Sequence, residues 1–130
     1  MSARDRLLGR MYGVLRAELP AHVTRGAFAR TFRDWELFPI RVDGAVVGVV
    51  GSRGPRVHIL YFERPRGSIQ RPIRYHMGRL IDRYGYAETC VEHGSDRRLT
   101  FCRRLGFEIV ADSGGVYQLR CTRFKYARQS

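Results

Sequence analysis

The chain has 130 residues, enough for one domain that buries its own core without disulfide or metal staples. An apolar content of 44% with 12% aromatics argues against a disordered chain, and the apolar runs, short and broken by glycine, argue against a membrane-spanning helix. A net charge of +12, from 24 basic residues against 12 acidic, points to phosphate-bearing or nucleic-acid partners.

Lys125 is the one lysine, so nearly all this charge sits on guanidinium groups, whose fixed fork suits phosphate. Half of it is concentrated. Between Arg53 and Arg83 there are eight arginines against Glu63 and Asp82, a balance of +6. The three cysteines, Cys90, Cys102 and Cys121, are odd in number and follow no metal-ligand spacing. They are read as reduced core residues. The N-terminus mixes charged with apolar residues, unlike a secretory signal, so a cytoplasmic protein is expected.

In chain order, Ser2 and Asp5 form a capping-box pattern. The helix behind it carries Leu7, Leu8, Met11, Val14, Leu15 and Leu19 on one face, with Pro20 as its stop. Thr24 caps a second helix with Ala27, Phe28, Phe32 and Trp35 at helical spacing, read as core. From Leu37 the period becomes that of strands. Leu37–Val42 and Ala45–Gly51 make a hairpin about Asp43-Gly44, and Arg56–Phe62 completes a meander.

A turn rich in arginine follows, from Glu63 to Pro72, and opens a helix whose first position is given to Pro72. This helix exposes Arg74, Arg79 and Arg83 and buries Ile73, Met77, Leu80, Ile81 and Tyr84. A strand running into a helix N-terminus offers free amides and the positive end of the dipole to a phosphorylated ligand. Tyr86–Val91 is the next strand, parallel to Arg56–Phe62 because a helix joins them. Ser95 caps a short helix bearing Leu99, Phe101, Cys102 and Leu105; Gly106 ends it. Phe107–Ala111 and Val116–Cys121, joined by the turn Asp112–Gly115, are the last strands. One domain over 1–121 and a basic tail, 122–130, are expected.

This order of elements, with Phe101-Cys102-Arg103-Arg104-Leu105-Gly106-Phe107 ahead of a final pair of strands, resembles the GNAT superfamily of acyl-CoA-dependent N-acetyltransferases. The resemblance runs from Arg6 to Cys121. It implies an α/β fold: a mixed, mostly antiparallel sheet of six to seven strands with helices on both faces. It also implies acetyl-CoA as cofactor, splayed between Arg56–Phe62 and Tyr86–Val91. In the family the turn reads Arg-Gly-x-Gly-x-Gly or Ala, and its amides hold the pyrophosphate. Here the matching residues are Arg66, Gly67, Ser68, Ile69, Gln70 and Arg71, preceded by Phe62 at the end of the strand. Arg66 and Gly67 match, whereas Ile69 and Arg71 replace glycines, and a branched residue obstructs close approach of phosphate to the backbone.

Cys102 stands where family enzymes place the tyrosine that protonates the leaving thiolate, and Ser95 where they often have asparagine. By the same resemblance Glu63 is the base that takes the amine's proton, with Glu92 and His93 as alternatives. Tyr61 and Tyr117 are candidates to replace the missing tyrosine. Two readings stand. One is an acetyl-CoA-dependent N-acetyltransferase of weak or lost activity, acting on an amine. The other is a non-catalytic assembly protein on the same fold, for example a phage virion component, whose basic surface lies near nucleic acid without sequence-specific contact.

Overall fold

The computed structural model describes residues 2–63 and 70–122, apart from the side chains of residues 70–72. Helix α1 (Ala3–Leu15) begins at the expected capping box. The Asp5 amide donates to Ser2 Oγ at 3.0 Å, and the Ser2 amide donates to Asp5 Oδ2 at 3.3 Å. The hydrogen bond with the Ser2 side chain, then that with its backbone, holds the Asp5 carboxyl below the usual carboxylate range. Leu7, Leu8 and Met11 are buried as the spacing requires. The α-helix does not reach Pro20, however. Val14 is already 43% exposed, and the exposed Arg16–Glu18 segment tightens into a 3₁₀ turn that leads to Leu19.

Helix α2 (Arg25–Thr31) is capped by Thr24, whose Oγ1 accepts from the Ala27 amide at 3.1 Å. Its expected apolar row is cut short. Phe28 is buried, but Phe32 and Trp35 lie beyond the helix end, in turns closed by amide-to-carbonyl bonds at 3.1 and 3.0 Å. Arg4 from α1 donates to the carbonyls of both Phe32 and Trp35, so a cation closes the carbonyl end of α2.

Strands β1 (Glu36–Val42) and β2 (Ala45–Arg53) pair antiparallel about Asp43 and Gly44, with φ of 51° and 80°. Both angles are positive, as a two-residue hairpin turn demands. A bulge where Ile40 faces Gly48 and Arg41 faces Val46 leaves Val47 without a β1 partner. The Val47 carbonyl instead accepts from the Phe62 amide, just past strand β3 (Arg56–Tyr61), at 2.8 Å. At Gly48 the main chain of β3 comes so close that a Cβ would stand 2.6 Å from the Leu60 carbonyl oxygen. Leu7, Leu8, Met11, Phe28 and Val49 form the core on this side, with Leu37, Leu60 and Phe62 packed at its margin.

Helix α3 (Gln70–Tyr84) starts two residues earlier than Pro72. The proline still falls in the first turn, where no intrahelical bond needs its N–H. Ile73, Met77 and Leu80 are buried; Tyr84 is exposed instead of buried, and Arg74 is half-buried instead of exposed. Strand β4 (Ala87–Glu92), helix α4 (Asp96–Leu105) and strands β5 (Glu108–Ser113) and β6 (Val116–Cys121) follow. Val57, Val91, Leu105, Phe107 and Leu119 are buried as well.

The sheet has six strands in the order β1-β2-β3-β4-β6-β5, mixed and mostly antiparallel, as expected. The described residues form two compact units. One holds the chain to Arg53 and resumes at His58; the other holds Gly54–Val57 and the chain from Gln70. The parallel pair belongs to the second unit. Arg56 faces Glu88, the Glu88 amide donates to the Pro55 carbonyl at 2.8 Å, and their side chains pair at 4.0 Å. At the far edge β5 is exposed along its whole length, and a bulge at Val110 interrupts its pairing with β6. Among the described residues no helix is long and apolar enough to cross a membrane.

Candidate functional site

Arg66, Gly67, Ser68 and Ile69 lie outside the described residues. Gln70 and Arg71 open α3, and their side chains likewise lie outside. What the structure does describe is the helix these residues lead into. Its first turn carries no acidic side chain, so the partial positive charge of its amides is not neutralised from within. That donor set, with Arg71 and Arg74 in the same stretch, fits a phosphorylated group.

Phe62 gives its amide to Val47, and the Arg10 guanidinium lies over its ring at 4.3 Å. The Phe62 amide is thus turned towards β2. Glu63 stands exposed just past the end of β3. The Tyr61 ring lies against Gly48, and its hydroxyl oxygen is buried.

A different group of candidates is brought together at the end of β4. Val91 faces Tyr117 on β6, and Tyr117 faces Asp112 on β5, so three strands present these residues in one row. His93, just beyond β4, is anchored by its amide, which donates to the Gly115 carbonyl at 2.8 Å. Its ring lies 4.2 Å from the Tyr117 ring, tilted by 38°. Its Nε2 is 2.6 Å from Asp112 Oδ1. Glu92, beside it, is exposed. Asp112 was the residue missed in the sequence, where it reads only as the start of a turn. Nothing near His93 in the chain signals it, because the two are 19 residues apart and meet through two strand registers.

Cys102 sits on α4, whose last turn closes through Gly106 at φ 108°. The Phe107 amide donates to the Cys102 carbonyl at 3.0 Å. Leu105 and Phe107 are buried on either side of that glycine, which explains physically why leucine, glycine and phenylalanine stand together. Ser95 occupies the N-cap of α4, but its side chain makes no cap bond there. A shallow groove on α4 is lined by Asp96, Arg97, Thr100, Phe101 and Arg104, and Cys102 does not line it.

Burial pushes the Cys102 thiol from an ordinary 9.0 up to about 11, with Arg98 pulling the other way. The thiol therefore stays protonated near neutral pH. It is a weaker proton donor than an ordinary thiol. Below about pH 9 both folded and unfolded chains hold the proton; above it the unfolded chain loses its proton first, so stability falls up to about pH 11. The loss is on the order of 2–3 kcal/mol. Urea unfolding of the wild type and Cys102→Ala at pH 8 and pH 10.5 is expected to show a smaller pH-dependent loss in the variant.

Solved structures resemble this fold. The ribosomal-protein-S18-alanine N-acetyltransferase from Escherichia coli matches with a TM-score of 0.68 at 11% identity, over 100% of this chain and 95% of that one. An aminoglycoside 6'-acetyltransferase type Ii matches with a TM-score of 0.66 at 15% identity, over 92% and 88%. The PaiA N-acetyltransferase from Thermoplasma acidophilum, in complex with coenzyme A, matches with 0.58 at 8% identity, over 92% and 89%. The chain has the GNAT fold. No family model and no curated protein matches its sequence. Within this fold Leu105-Gly106-Phe107 closes α4, and His93, just past β4, lies against Tyr117 of β6.

Proposed function

We propose that this chain is an acetyl-CoA-dependent N-acetyltransferase acting on an amine. One observation carries the reading: a parallel pair, β3 with β4, set among antiparallel pairs and connected through α3, whose first turn is free of carboxylates. Amides from Gly67 to Arg71 would hold the diphosphate, with Arg66 and Arg71 adding charge. Acetyl-CoA supplies the activated acetyl group, and the protein's contribution is to hold the amine against it and to manage its proton. Ile69 and Arg71, in place of glycines, are the residues expected to make donor binding weak.

Calorimetric titration with acetyl-CoA tests the reading. Saturable binding is expected, in the range of about 1 µM to 1 mM common for enzyme substrates. Release of free thiol on adding small primary amines should accompany it. Folded protein that neither binds acetyl-CoA nor releases thiol would leave the non-catalytic scaffold as the surviving reading.

A further inference from the structure

We propose that His93 is the general base of this protein, with Asp112 as the residue that positions it and Tyr117 as the surface against which its ring is held. The inference rests on the acetyl-transfer reading and names the residue that reading needs. Of the candidate bases, Glu63 and Glu92 are exposed carboxylates for which no side-chain orienter is found among the described residues. His93 has both a fixed ring and a polar partner.

The geometry defines which nitrogen can act. An ionised carboxylate only accepts, so at 2.6 Å from Asp112 Oδ1 the proton of a neutral His93 ring belongs on Nε2. Nδ1 is then the lone-pair nitrogen. Among the described residues no contact is found for it. The ring is 43% exposed on its side chain, which leaves room for an amine or a bridging water. Asp112 from β5 and Tyr117 from β6 are the titratable groups against the ring, with Glu92 next to it in the chain. A nearby carboxylate stabilises the imidazolium that proton transfer produces, the arrangement of an oriented base.

The step balances without an added reagent. The amine nitrogen bonds to the acetyl carbon as the carbon–sulfur bond breaks, its electron pair staying with sulfur. Nδ1 accepts the proton that the nitrogen gives up, and water returns that proton from His93 to the sulfur. Neither oxidant nor metal enters.

Three measurements on the full chain test the proposal. In His93→Gln, acetyl-CoA affinity by calorimetry is expected to match the wild type, while the rate of acetyl transfer falls by about 10²- to 10⁴-fold, the usual contribution of such a base. The rise of kcat/KM with pH on the acid side should vanish with it. In ligand-free protein, nitrogen NMR of the His93 ring should show the proton on Nε2, and Asp112→Asn should abolish that preference. A ring protonated on Nδ1, or a His93→Gln variant that keeps its rate within about threefold and retains the acid limb, overturns the proposal. A wild type that binds no acetyl-CoA instead overturns the acetyl-transfer reading, and this inference with it.

Discussion

Gly67→Val is expected to abolish acetyl-CoA binding, and Ile69→Gly to strengthen it. Amides that hold a diphosphate must come within hydrogen-bond distance of it, which leaves no room for a branched side chain at the point of approach. Valine at position 67 would occupy the phosphate's place. Isoleucine at position 69 stands where the family pattern has glycine, and if the turn holds the diphosphate its replacement by glycine is expected to gain roughly 1 kcal/mol or more, the scale of one hydrogen bond. That corresponds to a dissociation constant about fivefold lower. Calorimetry on the wild type and both variants reads the two effects with opposite signs. Tighter binding in Ile69→Gly would mark the turn as an impaired but real donor site. Silence from all three folded proteins would remove the donor site from the account.

The largest expected effect on stability is at Phe28. It is the one buried residue of α2, a helix of only seven residues, and it is 5% exposed. Its ring lies 5.5 Å from that of Tyr12 and 5.0 Å from that of Phe32. So short a helix has almost no stability of its own and depends on this packing. Phe28→Ala should cost about 3–5 kcal/mol, from lost burial and the cavity left behind. Against a total of about 5–15 kcal/mol for a typical domain, that is a large share. The midpoint of urea unfolding should drop accordingly, with the slope unchanged. Tyr75→Ala is the control: Tyr75 is 66% exposed and its loss should change stability by no more than about 0.5 kcal/mol. A Phe28→Ala midpoint equal to that of the control would mean that α2 does not pack as described.

What was legible in the sequence was mostly local. The capping box at Ser2 and Asp5, the Thr24 cap and the Asp43-Gly44 turn are each written in residues a few positions apart, and each holds in the structure. The parallel relation of β3 and β4 followed from the helix between them, since a chain must cross over to run alongside itself. The misjudged helix ends have a different cause. Trp35 keeps helical spacing with Phe28, yet Arg4 reaches from α1 to the carbonyls of Phe32 and Trp35, a contact that no local pattern announces. The same holds more strongly for the pair His93 and Asp112, which depends on the registers of β4 with β6 and of β6 with β5. Ile109 alternates with Phe107 as a buried strand residue should, but it is 40% exposed because β5 is the last strand of the sheet.

That last strand bears on how the protein behaves in crowded solution. An outermost strand carries a row of unpaired backbone groups and invites another chain to extend the sheet, and here Ile109 and Val110 would make the invitation stronger. Two things weaken it. The bulge at Val110 breaks the regular spacing that an incoming strand would have to match. Glu108 and Asp112, either side of the apolar pair, put carboxylates where a copied strand would bring its own. Asp112, which holds His93, therefore lies on the same strand as the bulge that discourages fibrous assembly, and contributes to both.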